Sequence, residues 1–219
     1  MNRRKVAGMT MLMLGIIAIA GASPSWASVQ AYSVANGTAG TQDFTGSLGL
    51  DFDVNSNIEI TSLGVFDDLS NGLNRTISVA IFDRNTQSIV GPTLTFSGAS
   101  DTLVNGYRVR DLANAISLSA GFQGSIVAWG YGANERNGNV GSGFTAPTLN
   151  DGGGLISFVG SGRYSGAAGV YPTTVDGGPE NRYGAGTFGF QASAVPEPTT
   201  IAIWSSLLAL GFLARRRFR

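Results

Sequence analysis

The 219-residue chain contains no cysteine and no histidine. Without cysteine there is no disulfide, no thiolate nucleophile and no cysteine-based metal site. Without histidine the Ser-His-Asp and Cys-His arrangements are excluded, together with zinc sites of the His/Cys type. Charge is sparse as well, with Asp, Glu, Lys and Arg making up 13% of the residues. Stability must therefore come from an apolar core, and residues 28–194 are long enough to bury one.

The formal net charge of zero hides a segregation. Of 14 Lys and Arg, three stand at residues 3–5 and four at Arg215, Arg216, Arg217 and Arg219, which leaves seven for the body. Thirteen of the 14 Asp and Glu lie within residues 28–194, so the body carries about −6. Phosphate binding needs clustered cations, so nucleic acid is not an expected partner, whereas divalent cations are attracted to such a surface.

What is present first is an export signal. Arg3, Arg4 and Lys5 form a positive segment, Met11–Ala20 an apolar one broken only by Gly15, and Ser25-Trp26-Ala27 offers small residues at the −3 and −1 positions. This order is that of a signal peptide over residues 1–27, a signal helix cut between Ala27 and Ser28 by signal peptidase. The apolar run is shorter than the ~20 residues a spanning helix needs.

Residues 28–194 show the period of β-structure. Leu48, Leu50, Phe52 and Val54 alternate with Ser47, Gly49, Asp51 and Asp53, as in a strand with one wet face. Similar stretches occur at Ile58–Val65, Ile77–Ile81, Leu94–Phe96, Tyr107–Val109, Ile116–Leu118, Ile126–Tyr131, Leu155–Val159 and Phe188–Phe190. Turn signals separate them at Asn36-Gly37, Asn71-Gly72, Gly91-Pro92, Asn105-Gly106, Asn137-Gly138, Asp151-Gly152 and Asp176-Gly177-Gly178. About nine short strands at this spacing predict an all-β antiparallel sandwich of jelly-roll type. Between residues 130 and 186 the composition loosens into Gly, Ser, Asn and Pro, which predicts long loops on the same domain around one strand, Leu155–Val159.

The C-terminus combines three features in order: Pro196-Glu197-Pro198, the apolar run Ile201–Ala214, and the cluster Arg215, Arg216, Arg217 and Arg219. Proline fixes the triplet as a non-helical strip. The apolar run would form a single transmembrane helix of ~21 Å against a hydrocarbon core of ~30 Å, a marginal anchor. The arginines supply a cytoplasmic stop-transfer flank. Residues 195–219 resemble the PEP-CTERM sorting signal of Gram-negative bacteria. The resemblance implies handling by an exosortase that cuts near Pro196-Glu197-Pro198, transient inner-membrane insertion, and a final address at the cell surface or in the extracellular matrix, in company with exopolysaccharide and biofilm. The phrases Ile60–Asp67, Ile77–Asp83 and Leu118–Phe122 also resemble the β-sandwich modules of such proteins, of unassigned function.

Candidates for chemistry in the body are few. Two carboxylates can serve a glycosidase, and Asp51 with Asp53, or Asp67 with Asp68, are the available pairs; on a strand face a solvated exterior is the favoured reading of the first. Asp67, Asp68, Ser70 and Asn71 offer hard oxygen ligands for calcium, although a turn whose Asp and Asn bond their own backbone is favoured, and no other cofactor is implied. Tyr164, Tyr171 and Tyr183, in the loosened region, are the candidates for stacking on saccharide, while Trp129, between Val127 and Tyr131, reads as core. The expected function is thus an exported, non-catalytic structural or carbohydrate-binding protein, with a secreted carboxylate-based glycosidase as the alternative.

Overall fold

A computed structural model describes residues 27–193, in which alternating sequence becomes antiparallel sheet. The expected signal helix and the sorting tail, with Pro196, Glu197, Pro198 and the four terminal arginines, lie outside the described residues. Ala27 and Ser28, flanking the expected cleavage point, are exposed immediately before the first strand.

The strands are β1 (Val29–Gln30), β2 (Tyr32–Ser33), β3 (Ser47–Val54), β4 (Ile58–Phe66), β5 (Leu73–Asp83), β6 (Ile89–Gly98), β7 (Thr102–Val104), β8 (Tyr107–Leu118), β9 (Gln123–Trp129), β10 (Gly138–Asn139), β11 (Thr148–Leu149), β12 (Ile156–Ser165), β13 (Thr174–Asp176), β14 (Tyr183–Gly184) and β15 (Gly186–Ala192). One sheet runs β1-β15-β4-β8-β7 and the other β13-β12-β3-β9-β5-β6, with two small pairs, β10-β14 and β11-β2. Every pairing is antiparallel. The two large sheets pack face to face as a β-sandwich, because Leu48, Leu50 and Phe52 of β3 and Ile126 and Ala128 of β9 share one core with Phe188 and Phe190 of β15. Phe52 meets Phe188 with ring centroids 4.7 Å apart, and Phe66 meets Phe144 edge-on at 5.2 Å. Among the described residues helix is limited to the 3-10 turns Asp68–Ser70 and Val140–Ser142, and no helix is long and apolar enough to cross a membrane.

Four expectations change. Tyr107–Val109 and Ile116–Leu118 are the two ends of one strand, β8, which follows β4 across a register shift between Ile60 and Ser62. Gly91-Pro92 is no turn but a bulge inside β6, where Gly91 adopts φ +82 and register shifts between Val79 and Ile81 of β5. Proline is tolerated there because β6 is an edge strand and has no ladder partner on one side. Asn137-Gly138 is buried and bridges to Gln42 rather than turning. Trp129 leaves the core: it faces outward with Val127, whereas Tyr131 faces inward and is fully buried. By contrast Asn105-Gly106 is a tight hairpin turn joining β7 to β8, with both residues at positive φ.

The Gly-rich region is more ordered than its composition implies. β12 extends over ten residues and pairs with β3, and β10, β11, β13 and β14 lie in the same region. The region packs on the sandwich, with the loop residue Phe144 and Tyr183 of β14 among the core residues.

Candidate functional site

Strand alternation puts Asp51 on the outer face of the six-stranded sheet, opposite Ser125 of β9. The segment 166–172 crosses this face. Ser47 donates its N–H to Ala167 O at 3.2 Å, and Val170 donates its N–H to Ser47 Oγ at 3.3 Å. The crossing brings Tyr171 over Ala80, Phe82 and Val127 as a small second core with Trp129 packed beside it. Arg163 Nε donates to Asp51 Oδ2 at 2.6 Å while its guanidinium lies 5.6 Å from the Tyr171 ring centroid. Arg84 Nη1 stands 3.7 Å from the same oxygen, and Arg84 also pairs with Asp53.

Asp51 is therefore 0% exposed, not the solvated surface group that alternation predicts. Its Oδ1 has no hydrogen-bond partner among the described residues, and neither has Arg84 Nε. A glycosidase needs two carboxyl groups flanking the scissile bond. Of this pair only Asp53 reaches solvent, its side chain 39% exposed.

The second candidate begins where β4 ends. Asp67 is wholly buried; its carboxylate accepts from Arg108 Nε at 2.6 Å and from the Gly72 N–H at 3.0 and 3.1 Å. Asp68 accepts from the N–H groups of Gly40 at 2.7 Å and Arg136 at 3.4 Å, and Ser70 Oγ accepts from the Gly37 N–H at 3.0 Å. Asn71 is exposed. These contacts over-determine a strained turn, with Leu69 at φ +64 and Ser70 at φ +56. Three of the four calcium candidates thus point to separate partners, most of them backbone N–H groups, the fourth, Asn71, is exposed, and among the described residues no group of three or more Asp or Glu is placed to hold a metal ion.

Behind the turn lies Glu135, which no local pattern in the sequence singles out. It accepts from the N–H of Asp68 at 2.9 Å and of Asn74 at 2.7 Å. Burial pushes its carboxyl upward from the usual range, those two N–H groups pull it down, and the neighbouring charges of Asp67 and Asp68 push it up again. Asp176 moves the other way. Burial opposes its charge, but the Tyr183 hydroxyl at 2.6 Å, the Gly178 N–H at 2.9 Å and Arg182 outweigh burial and hold it below the usual range.

The three tyrosines proposed for saccharide do not share a surface. Tyr164 is 36% exposed and meets Phe44 edge-on; Tyr171 is 8% exposed beneath Arg163; Tyr183 is 3% exposed, with its hydroxyl bound to Asp176. A buried ring offers no face to a sugar, so Tyr183 is structural. No protein-family model matches the chain, and no curated protein matches it.

Proposed function

We propose that this is an exported surface or matrix protein whose body binds or organises polysaccharide without turning it over. In this reading residues 1–27 direct export and signal peptidase leaves Ser28 as the mature N-terminus. The PEP-CTERM-like tail then holds the chain briefly in the inner membrane of a Gram-negative cell until an exosortase acts near Pro196-Glu197-Pro198, after which the body reaches the cell surface or matrix with exopolysaccharide as its partner. The body is read as a jelly roll. The strand orders β1-β15-β4-β8 and β3-β9-β5-β6 fit its two four-stranded sheets, with β12 and β13 added beside β3.

The observation that carries the non-catalytic reading is the fate of the best-placed carboxylates. Asp51 and Asp67 are both 0% exposed and both held by arginine, so neither pair presents two free carboxyl groups to a substrate. Cell fractionation with intact-mass measurement tests the sorting. Replacing Pro196, Glu197 and Pro198 together by Ala leaves export intact and traps an unprocessed, membrane-associated form; equal release of variant and parent rejects exosortase handling. Turnover of a polysaccharide panel, abolished by Asp53→Asn, would establish the glycosidase instead.

A further inference from the structure

The outer face of the six-stranded sheet is divided. Over β3, β9 and β12 it is sealed by the segment 166–172 with its ion pairs and second core. Over the first half of β5 and over β6, at the sheet edge, the outward side chains are small and hydroxylic, whereas Ala80 and Phe82 farther along β5 lie under Tyr171. Alternation places Thr93, Thr95 and Ser97 of β6 opposite in facing to Leu94 and Phe96, which turn to the core, and all three are exposed. On β5 the matching outward residues are Thr76, exposed, and Ser78, half-buried. The cross-strand register joins the rows: Ser78 stands opposite Thr95 on one side and opposite Trp129 of β9 on the other. Ser78 Oγ and Thr95 Oγ1 are 3.0 Å apart, and Trp129 is half-buried at the inner end of the row with its Nε1 edge near Gly169.

We infer that Trp129 and the hydroxyl rows of β5 and β6 form a binding face for an extended, ribbon-like polysaccharide chain of the β-1,4-linked kind, an assignment that rests on the carbohydrate-binding reading above and gives it a site. Neighbouring hydroxyls on this face repeat at about 4.8 Å across strands and about 6.8 Å along them, a flat grid on the scale of a pyranose ring. Hydroxyls donate and accept alike, so such a grid meets the mixed hydroxyls of a sugar without leaving any group unpaired. The indole supplies what the grid lacks, an apolar surface for the C–H face of a ring. None of the six residues is charged, and one cation, Arg75, stands at the margin with its Nε donating to Gly130 O at 2.8 Å beside Trp129, so the face itself suits a neutral polymer. The bulge at Gly91-Pro92 interrupts the free edge of β6 and discourages a further strand from adding there, leaving the face to a ligand laid across it.

Adsorption of the full-length chain, purified in mild detergent, to microcrystalline cellulose tests the assignment, with α-linked dextran beads as comparison. The expected result is depletion by cellulose and not by dextran, with at least a tenfold loss of adsorption in Thr93→Glu/Thr95→Glu and in Trp129→Ala. The double variant changes only exposed positions, so an unchanged melting temperature keeps its result interpretable even where Trp129→Ala disturbs packing. Adsorption that survives the double variant overturns this face while the carbohydrate-binding reading stands. A preference for dextran overturns the ribbon assignment in the same way. Failure to adsorb to either polymer overturns the face and withdraws support from the carbohydrate-binding reading together.

Discussion

Asp51 and Asp67 are both fully buried and both joined to arginine, yet they are buried in different ways. Asp67 accepts at both carboxylate oxygens, from Arg108 and from the backbone five residues on, and Arg108 is itself 7% exposed with its Nη1 donating to Ala99 O and Asp101 O. Asp51 has two arginines on one side and an oxygen with no partner among the described residues, and those arginines keep 19% and 13% of their side chains in solvent. Removing a charge from water costs several kcal/mol, and the loss is recovered only where every lone pair and proton finds a partner. Asp67 is built as a sealed joint between the β4 end and β8, whereas Asp51 is a pin beneath a strap that water can reach from the side.

The comparison breaks if the two aspartates respond alike. Asp67→Ala strands a buried guanidinium and frees the Gly72 N–H, a loss of about 3–5 kcal/mol, which in a domain of this size lowers the melting temperature by about 10 °C. Asp51→Ala lets Arg163 and Arg84 turn to water and costs about 2 kcal/mol or less, since partly exposed pairs are worth less than sealed ones. Denaturant unfolding of the two variants measures the difference, and an equal or reversed order removes the distinction.

Tyr131→Phe gauges a neutral group in the same sealed region. Its hydroxyl donates to Ala185 O at 2.7 Å and lies 3.1 Å from Phe66 O, so the variant loses about 1 kcal/mol by the same assay. A loss as large as that of Asp67→Ala would mean that hydrogen-bond count rather than charge governs this end of the sandwich.

The smallest effect is in pH. Glu135, raised on folding, gives stability that is full below the ordinary carboxylate range and declines as pH rises through its folded value. Asp176, lowered on folding, gives stability that is full above the ordinary range and is lost as pH falls through its own. The windows lie on opposite sides of that range, so stability against pH has a shallow maximum in mild acid. Glu135→Gln flattens the high-pH limb and Asp176→Asn the low-pH limb, measured as melting temperature across the range; a limb that persists in its variant assigns it to other groups.

Most of the sheet was legible because period-2 alternation is local. Leu48 to Val54 states its own inner and outer faces, and β3 follows them residue by residue. The misread face of Trp129 has a local cause: Gly130 adopts φ +102, which breaks the alternation, so Trp129 and Tyr131 point to opposite sides despite equal parity. The candidate sites were legible only as residue types. Nothing near Asp51 announces Arg163, which arrives from 112 positions away, and nothing near Asp67 announces Glu135 behind its turn. Composition also understated residues 130–186, because their order comes from pairing with β3 and from packing on the core rather than from propensity.

The pairing of β1 with β15 sets the schedule on which this protein can fold. Val29 and Gln30 stand opposite Phe190 and Gly189, Tyr32 of β2 adds hydrogen bonds to Thr187 across 155 positions, and β15 is an interior strand of its sheet. Closure of so long a chain segment makes assembly slow. A chain synthesised N-terminus first leaves one flank of β4 open until residues 186–192 arrive, and an open strand flank is a template for wrong partners. The sandwich is therefore completed by β15, the last strand among the described residues, after nearly all of residues 27–193 have been made.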